Sequence, residues 1–387
     1  MLALGRRLAA LGHAVAFETW ERWRADVEAE GIEFVAAAEY PVFPTRDRAL
    51  KPFEAIVRST PGTRRAIVAF APDVVVHDIL TLGPAIAGEL ERLPVATLIP
   101  HVHPFSERGW PPYALGGRLP RTRLGAAVWK PTEPLINWAL RQGRSELNDA
   151  RTKLGLAPTQ RLHGGLSDRL CLVGTFPQLE YPRTWPPGVH VVGPLVWEPA
   201  SEDVEPPPGD RPLVLIAPST AQDPDHRLLR ATVRGLADEP VRVLAATNRK
   251  PLAKPLRVPP NARVVPWLSY GRTMPRCRLV VTHAGHGTMA RALASGCPVV
   301  AVPHSGDMAE NAARADWAGV GVRLPWRLLS PLTVRLGVRR ALASPSLTLR
   351  AGELASWAAA NDGAARAAEL VEALAFSPRR GAGAQTR

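Results

Sequence analysis

The chain has 387 residues, 46% hydrophobic and 21% charged, with 40 Pro and 31 Gly. At roughly 100–200 residues per domain this length predicts two domains, and the apolar fraction, with glycines of no regular period, excludes intrinsic disorder and a collagen. Lys and Arg total 48 against 35 Asp and Glu, a formal charge of +13. Lysine is confined to Lys51, Lys130, Lys153, Lys250 and Lys254, so the charge is arginine scattered along the chain, which argues against a nucleic-acid partner. Cys171, Cys277 and Cys297 are isolated, so neither a disulfide framework nor a zinc site is indicated and a reducing, cytoplasmic setting is expected. No apolar run reaches the roughly 18 residues a transmembrane helix needs. Arg6 and Arg7 interrupt the first apolar residues, and no small-residue cleavage site follows, so no signal peptide is read.

From Met1, Leu4, Leu8 and Leu11 recur at helical spacing and Gly12 stands at a C-cap position, so the sequence opens in a helix. Residues 13–19, 32–37, 73–78 and 95–99 read as short apolar strands, with helical patterns over 49–70 and 84–93. This alternation predicts a parallel sheet covered on both faces. In such a sheet the opening helix is a crossover fed by a strand, yet neither a strand nor a capping Ser, Thr, Asp or Asn comes before it.

A Pro-, Gly- and Arg-rich stretch from 100 to about 134 has the character of a binding loop; a helical pattern over 135–154 and strand-like pieces at 169–173 and 189–192 follow. Pro199, Pro206, Pro207 and Pro208 mix with carboxylates in a linker. Beyond it, strands are predicted at 213–217, 241–246, 263–265, 279–282, 298–302 and 321–324, with helices at 226–236, 288–295, 309–318, 347–360 and 364–375. The expected organisation is an N-terminal domain over 1–197, a linker over 198–212 and a second doubly wound domain over 213–360. A C-terminal helix over 361–376 would pack back on the first domain, ahead of a disordered basic tail over 377–387.

The most informative segment is Leu279-Val-Val-Thr-His-Ala-Gly-His-Gly-Thr-Met, a strand running through a glycine-rich turn into a helix. Glycines let the backbone approach an anion, the first helical N–H groups face the turn, and His283 and Thr288 add polar side chains. The alternative for Gly285 and Gly287 is an ordinary tight turn with exposed histidines. A second polar turn, His304-Ser-Gly-Asp-Met-Ala-Glu-Asn, follows the next strand. In a doubly wound domain both turns lie beyond the carboxyl ends of their strands, where ligands bind.

Taken with Pro266-Trp-Leu and Gly296-Cys-Pro, these segments resemble the C-terminal signature of the family 1 glycosyltransferases. These are nucleotide-sugar-dependent enzymes of the GT-B fold, two doubly wound Rossmann-like α/β domains, and the likeness is to bacterial members that decorate natural products. The resemblance implies that Trp267 stacks on the donor base, with the Leu268 backbone on its edge. His283, the turn of Gly285, His286, Gly287 and Thr288, and Ser219 with Thr220 after the domain's first strand would hold the diphosphate. Each well-placed donor there would stabilise the leaving charge by about 3–4 kcal/mol. Ser219 and Thr220 also fit an ordinary helix-start turn. Asp307 would accept hydrogen bonds from sugar hydroxyls, in the turn that ends at Asn311.

Two residues depart from the pattern. Met308 replaces the Gln after that Asp, which removes a sugar contact and favours a deoxy sugar. Arg291 replaces the acidic residue that holds the ribose, which makes a thymidine diphosphate donor plausible beside a uridine one. In the N-terminal domain, Asp78 matches an acidic residue that orients the catalytic base, with a helix N-cap as its alternative reading. His101 and His103 are expected to line the acceptor cleft, and no further ligand at metal spacing accompanies them.

The family's opening strand and the Gly-His loop carrying its general base have no counterpart in this sequence. His13, at a strand start, does not replace that base, whose loss commonly costs about 10²–10⁴-fold. The expectation is that Met1 is internal to a longer natural chain and that the N-terminal domain lacks its first strand. The implied activity is inverting, metal-independent transfer of a sugar from a UDP- or TDP-sugar to a hydroxyl of a small apolar acceptor. No cofactor beyond the nucleotide sugar is implied. A catalytically impaired nucleotide-sugar-binding helper, or an epimerase or hydrolase on the same fold, are the alternatives.

Overall fold

The computed structural model describes residues 1–38, 53–201, 203–219, 223–304 and 306–377. The N-terminal half runs α1 (Leu2–Ala10), β1 (Ala16–Thr19), α2 (Arg24–Glu28), β2 (Glu33–Ala36), α3 (Glu54–Phe70), β3 (Val75–Asp78), α4 (Gly83–Leu90), β4 (Val95–Ile99), α5 (Arg123–Trp129), α6 (Glu133–Lys153), β5 (Leu170–Val173) and β6 (Val189–Val191). The C-terminal half runs β7 (Leu213–Ala217), α7 (Arg227–Gly235), β8 (Arg242–Ala246), β9 (Ala262–Val265), α8 (Tyr270–Thr273), β10 (Leu279–Thr282), α9 (His286–Ala294), β11 (Val299–Ala301), α10 (Asp307–Trp317), β12 (Gly321–Arg323), α11 (Pro331–Leu342), α12 (Pro345–Ala360) and α13 (Gly363–Ala375).

The C-terminal sheet has six parallel strands in the order β12-β11-β10-β7-β8-β9. Its central strand, β7, is buried throughout, as its unbroken Leu-Val-Leu-Ile-Ala run requires of a strand covered on both faces. Leu215 and Ala217 pack into one core with α9 and α12, whereas Val214 and Ile216 pack into the other with α7 and α11. Each fully buried large aliphatic side chain contributes about 1.5–3 kcal/mol.

The N-terminal half carries four parallel strands, β3-β4-β5-β6, and a separate parallel pair, β1-β2. The last helix, α13, leaves the C-terminal half and joins Leu4 of α1 over Leu98 and Leu172 of β4 and β5. Its entry needs a close backbone approach. A Cβ on Gly363 would fall 2.8 Å from the Gly193 carbonyl carbon, and Gly193 itself has φ +104°.

The halves lock together through a buried ionic cluster. Arg314 of α10 is 2% exposed and donates to Glu180 of the N-terminal half at 2.6 Å and to Glu310 at 2.9 Å. It also reaches the carbonyls of Leu179 and His103, at 3.2 and 3.3 Å. Burial pushes the Glu310 carboxyl above its ordinary range, against the pull of Arg314.

Candidate functional site

Because β7, β10 and β11 are parallel, Ala217, Thr282 and Ala301 end at one edge of the sheet, and α9 and α10 begin there. The amino end of α9 has no side-chain cap and no acidic residue in its first turn, so its leading N–H groups and positive dipole end are uncompensated by side chains. Gly287 is exposed, with no atom within 4 Å of where its Cβ would lie, so the space over the helix end is open to an anion.

His283 is held against this helix end. Its Nδ1 lies 3.3 Å from the Ala217 carbonyl, so Nδ1–H donates there and Nε2 is directed at the turn, where it donates to an anion only when the ring carries both protons. A Cβ on Gly285 would come within 2.3 Å of that Nε2, so only glycine leaves the imidazole room. Burial lowers the His283 pKa, opposed by the Ala217 carbonyl and by Asp307 and Asp223. Ala284 adopts φ +68°, a left-handed conformation unusual for alanine, and its carbonyl accepts from the Asn311 amide at 3.0 Å. That bond ties the α9 turn to α10, where Asp307 opens the helix and lies 3.4 Å from the same amide. Ser219 is buried just beyond β7, and Thr220 lies outside the described residues.

Trp267 follows β9, half-buried, with the Arg249 guanidinium 4.6 Å from its ring centroid. Arg249 is held there by a left-handed pair, with φ 54° at Asn248 and 61° at Arg249, and by a bond from its N–H to the Pro266 carbonyl. Leu268 is buried in the core. Arg249 escapes sequence reading because its loop carries no glycine to mark the turn. Trp267 Nε1, His286 Nδ1 and Asn311 Oδ1 are buried with no hydrogen-bond partner among the described residues, which leaves unsatisfied polar atoms in α9, in α10 and at the turn after β9.

Arg291 pairs with Glu198 at 3.7 Å. Glu198, in the segment read as the linker, also accepts from Ser269 Oγ and from the N–H groups of Tyr270 and Gly271. Its carboxylate therefore compensates the amino end of α8, immediately after the Trp267 turn. Met308 packs against the hydrophobic core instead of presenting a polar group.

The N-terminal residues divide. His101 donates from Nδ1 to the Val102 carbonyl at 2.7 Å and lies beside Tyr113, whose hydroxyl is pushed upward by burial and by Asp307 and Glu310. His101 thus sits beside Tyr113, which senses the Asp307 and Glu310 carboxylates of α10. His103 departs from the expected cleft position: it is 5% exposed and enclosed by Phe105, Trp185 and Arg183, and its N–H donates to Glu180. Burial, then Arg183 and Arg314, drives its pKa down to about 3, so it is a neutral part of the junction. His286 also serves the junction, 3.2 Å from the Gly174 carbonyl, with its pKa lowered to about 4 by burial. Asp78 caps no helix, since α4 begins only at Gly83; Oδ1 accepts from the Leu80 N–H at 2.8 Å in a tight turn. Sequence reading does not find the Arg314, Glu180 and Glu310 cluster: Glu310 and Arg314 are an ordinary pair four apart on α10, and Glu180 joins them from 134 residues away.

Residues 227–374 match the family model for the erythromycin biosynthesis protein CIII-like C-terminal domain. The chain is 33% identical over 322 residues to 4'-demethylrebeccamycin synthase of Lentzea aerocolonigenes, covering 79% of this chain and 74% of that protein. It is 28% identical to O-mycaminosyltylonolide 6-deoxyallosyltransferase of Streptomyces fradiae, over 96% of this chain and 93% of the relative. The crystal structure of CalG4, the calicheamicin glycosyltransferase, shares the fold with a TM-score of 0.73 at 23% identity, covering 97% and 95% of the two chains. No helix among the described residues is long and apolar enough to cross a membrane. With two α/β halves, an open helix amino end at the strand edge and these relatives, the chain belongs to the family 1, GT-B-fold glycosyltransferases that use nucleotide sugars to decorate natural products.

Proposed function

We propose that the chain carries out inverting, metal-independent transfer of a sugar from a thymidine or uridine diphosphate donor to a hydroxyl of a small apolar acceptor. The acceptor oxygen attacks the anomeric carbon from the face opposite the diphosphate. The bond to the diphosphate oxygen breaks, and the leaving group takes the electron pair. The open amino end of α9, beneath His283 Nε2, is the observation that carries this reading, because it supplies oriented N–H groups where negative charge develops. Such contacts do the work a metal ion does in other transferases. Ser219 and Thr220 would add hydroxyls, Asp307 would bind sugar hydroxyls, and Trp267 would stack on the base.

The acceptor's proton would pass to a general base of the kind the family carries on its Gly-His loop, oriented by Asp78. His101, beside Tyr113, would line the acceptor side. A thymidine donor is supported by Arg291, whose pairing with Glu198 presents no carboxylate from α9 to a ribose 2'-hydroxyl. Solved relatives of the same fold, VinC and SpnG, were crystallised with thymidine diphosphate. Met308, turned to the core, favours a deoxy sugar.

Diphosphate release from TDP- and UDP-sugars, followed with a panel of phenols and hydroxylated polyketides, tests the reading. Acceptor-dependent release is expected. Donor binding with no turnover would instead support a nucleotide-sugar-binding helper. Free sugar released without acceptor would support a hydrolase or epimerase.

A further inference from the structure

The Pro-, Gly- and Arg-rich stretch after β4 ends in a helical ridge that the donor-site and acceptor-site residues leave unused. Helix α5, a 3-10 turn over Lys130–Thr132 and α6 form one run, because Lys130, Thr132 and Glu133 all keep a right-handed helical backbone. Pro131 and Pro134 supply no N–H, which tightens the junction without ending it. The run is anchored at its far end. Leu147, Ala150 and Arg151 are the buried residues of α6, α5 has none, and nothing from Arg123 to Glu146 is buried.

The exposed side of this ridge is apolar. Leu124, Val128, Leu135 and Trp138 are 83%, 70%, 66% and 54% exposed. With Pro131 they follow one another at three- and four-residue spacing, so they share one side of the run over about 21 Å. A helix face turned to water is ordinarily polar, and a contiguous apolar stripe marks a surface that something covers.

The charge around the stripe says what covers it. Arg121, Arg123, Lys130 and Arg141 are exposed on or beside the run and have no acidic partner among the described residues. Glu133, the one carboxylate between Arg121 and Arg141, faces Arg108 at 3.4 Å. A second copy of the chain would set the same four cations against each other, which repels. An anionic surface meets both features, since apolar side chains enter it while long cationic ones reach back to its negative groups. Trp138 adds an indole, which seats well at a lipid headgroup boundary, and Leu, Val and Trp between Arg and Lys compose a helix that lies in a lipid interface.

We propose that α5 and the first half of α6 seat the protein on an anionic lipid surface, with Leu124, Val128, Leu135 and Trp138 among the upper acyl chains and the four cations at the lipid phosphates. The proposal stands apart from the donor-site reading, because the ridge carries no residue of the α9 turn.

Sedimentation with vesicles tests it. The whole chain is basic, at +13, so charge alone draws it to anionic vesicles and the variants must separate the ridge from that background. The native chain is expected to bind vesicles of equal parts phosphatidylcholine and phosphatidylglycerol at least about tenfold more tightly than phosphatidylcholine alone. Leu124→Ser, Leu135→Ser and Trp138→Ser combined keep every charge and should weaken that binding at least about tenfold. Lipids brominated in their acyl chains report depth. They should quench the emission of the native chain more than that of Trp138→Phe, which keeps an apolar ring and should bind as the native chain does. No binding to the mixed vesicles, or equal binding by the native chain and the serine variant, would overturn the proposal. Equal quenching of the native chain and Trp138→Phe would overturn it without relying on the serine variant's folding. Self-association abolished by the serine changes, with no vesicle binding, would assign the ridge to a second copy and overturn it as well.

Discussion

His283 Nε2 occupies the space a side chain at Gly285 would need: a Cβ there would lie 2.3 Å from it. The glycine makes the histidine's position possible, and the Ala217 carbonyl on Nδ1 fixes the direction of the ring. Helix end and imidazole thus point at one volume; there the uncapped N–H groups, and the ring once it carries both protons, would donate to the diphosphate proposed above.

Gly285→Ala is expected to push His283 from its place and weaken thymidine diphosphate binding at least about tenfold, in line with the loss of one charge-assisted hydrogen bond. Gly287→Ala, with no protein atom within 4 Å of the new methyl, should leave folding unchanged while crowding the ligand. Titration calorimetry with a thermal melt of each variant separates binding from stability. Unchanged binding in Gly285→Ala would contradict the arrangement.

Trp267→Ala is expected to raise the Kd for thymidine diphosphate about fivefold or more, because base stacking on an aromatic ring is worth about 1–3 kcal/mol. Affinity for inorganic pyrophosphate should stay the same, since that ligand has no base. Equal losses for both ligands would place Trp267 in the fold and not in base recognition.

Acid should loosen the junction between the halves. His103 and His286 have folded pKa values of about 3 and about 4, below the ordinary 6.5, because burial penalises their charged forms. The unfolded chain therefore binds more protons than the folded one between these limits, and stability is lost as pH falls from 6.5 toward about 4. The melting temperature measured from pH 7.5 to 4.5 should fall over this window, and less steeply in His103→Asn. A flat profile would contradict the neutral burial of both rings.

Removing one partner of the buried cluster leaves an uncompensated charge. Arg314→Met strands Glu180 and Glu310 without their cation and is expected to cost about 3–5 kcal/mol in urea unfolding. The triple variant Arg314→Met, Glu180→Gln, Glu310→Gln should recover part of that loss. Equal stability of Arg314→Met and the native chain would show that the cluster does not hold the halves together.

Much of the fold is legible in the sequence where burial is continuous. Leu213–Ala217 and Leu279–Thr282 are strands at the predicted limits, because each is an unbroken apolar run ended by a turn. Strands at the margins are shorter than read: β1 begins at Ala16 and not at His13, since Gly12 at φ +92° and the residues after it form the exit from α1. Helix α11 goes unread although Ser330-Pro331 and Thr333 form a capping box with proline in the first turn. Gly285, His286 and Thr288 are legible as a helix start because glycine and polar residues cluster after a strand. The side-chain duties of His103 and His286 at the junction are not, because Arg183 and Gly174, which fix them, come from distant chain.

The most direct test of the donor site is calorimetric titration of thymidine diphosphate and uridine diphosphate into the native chain and into His283→Ala. The native chain should bind at one site, and the variant should bind at least about tenfold more weakly while melting at a similar temperature, as expected for loss of a hydrogen bond to a charged group. Equal affinities in the two proteins would contradict the assignment of the α9 turn to the diphosphate.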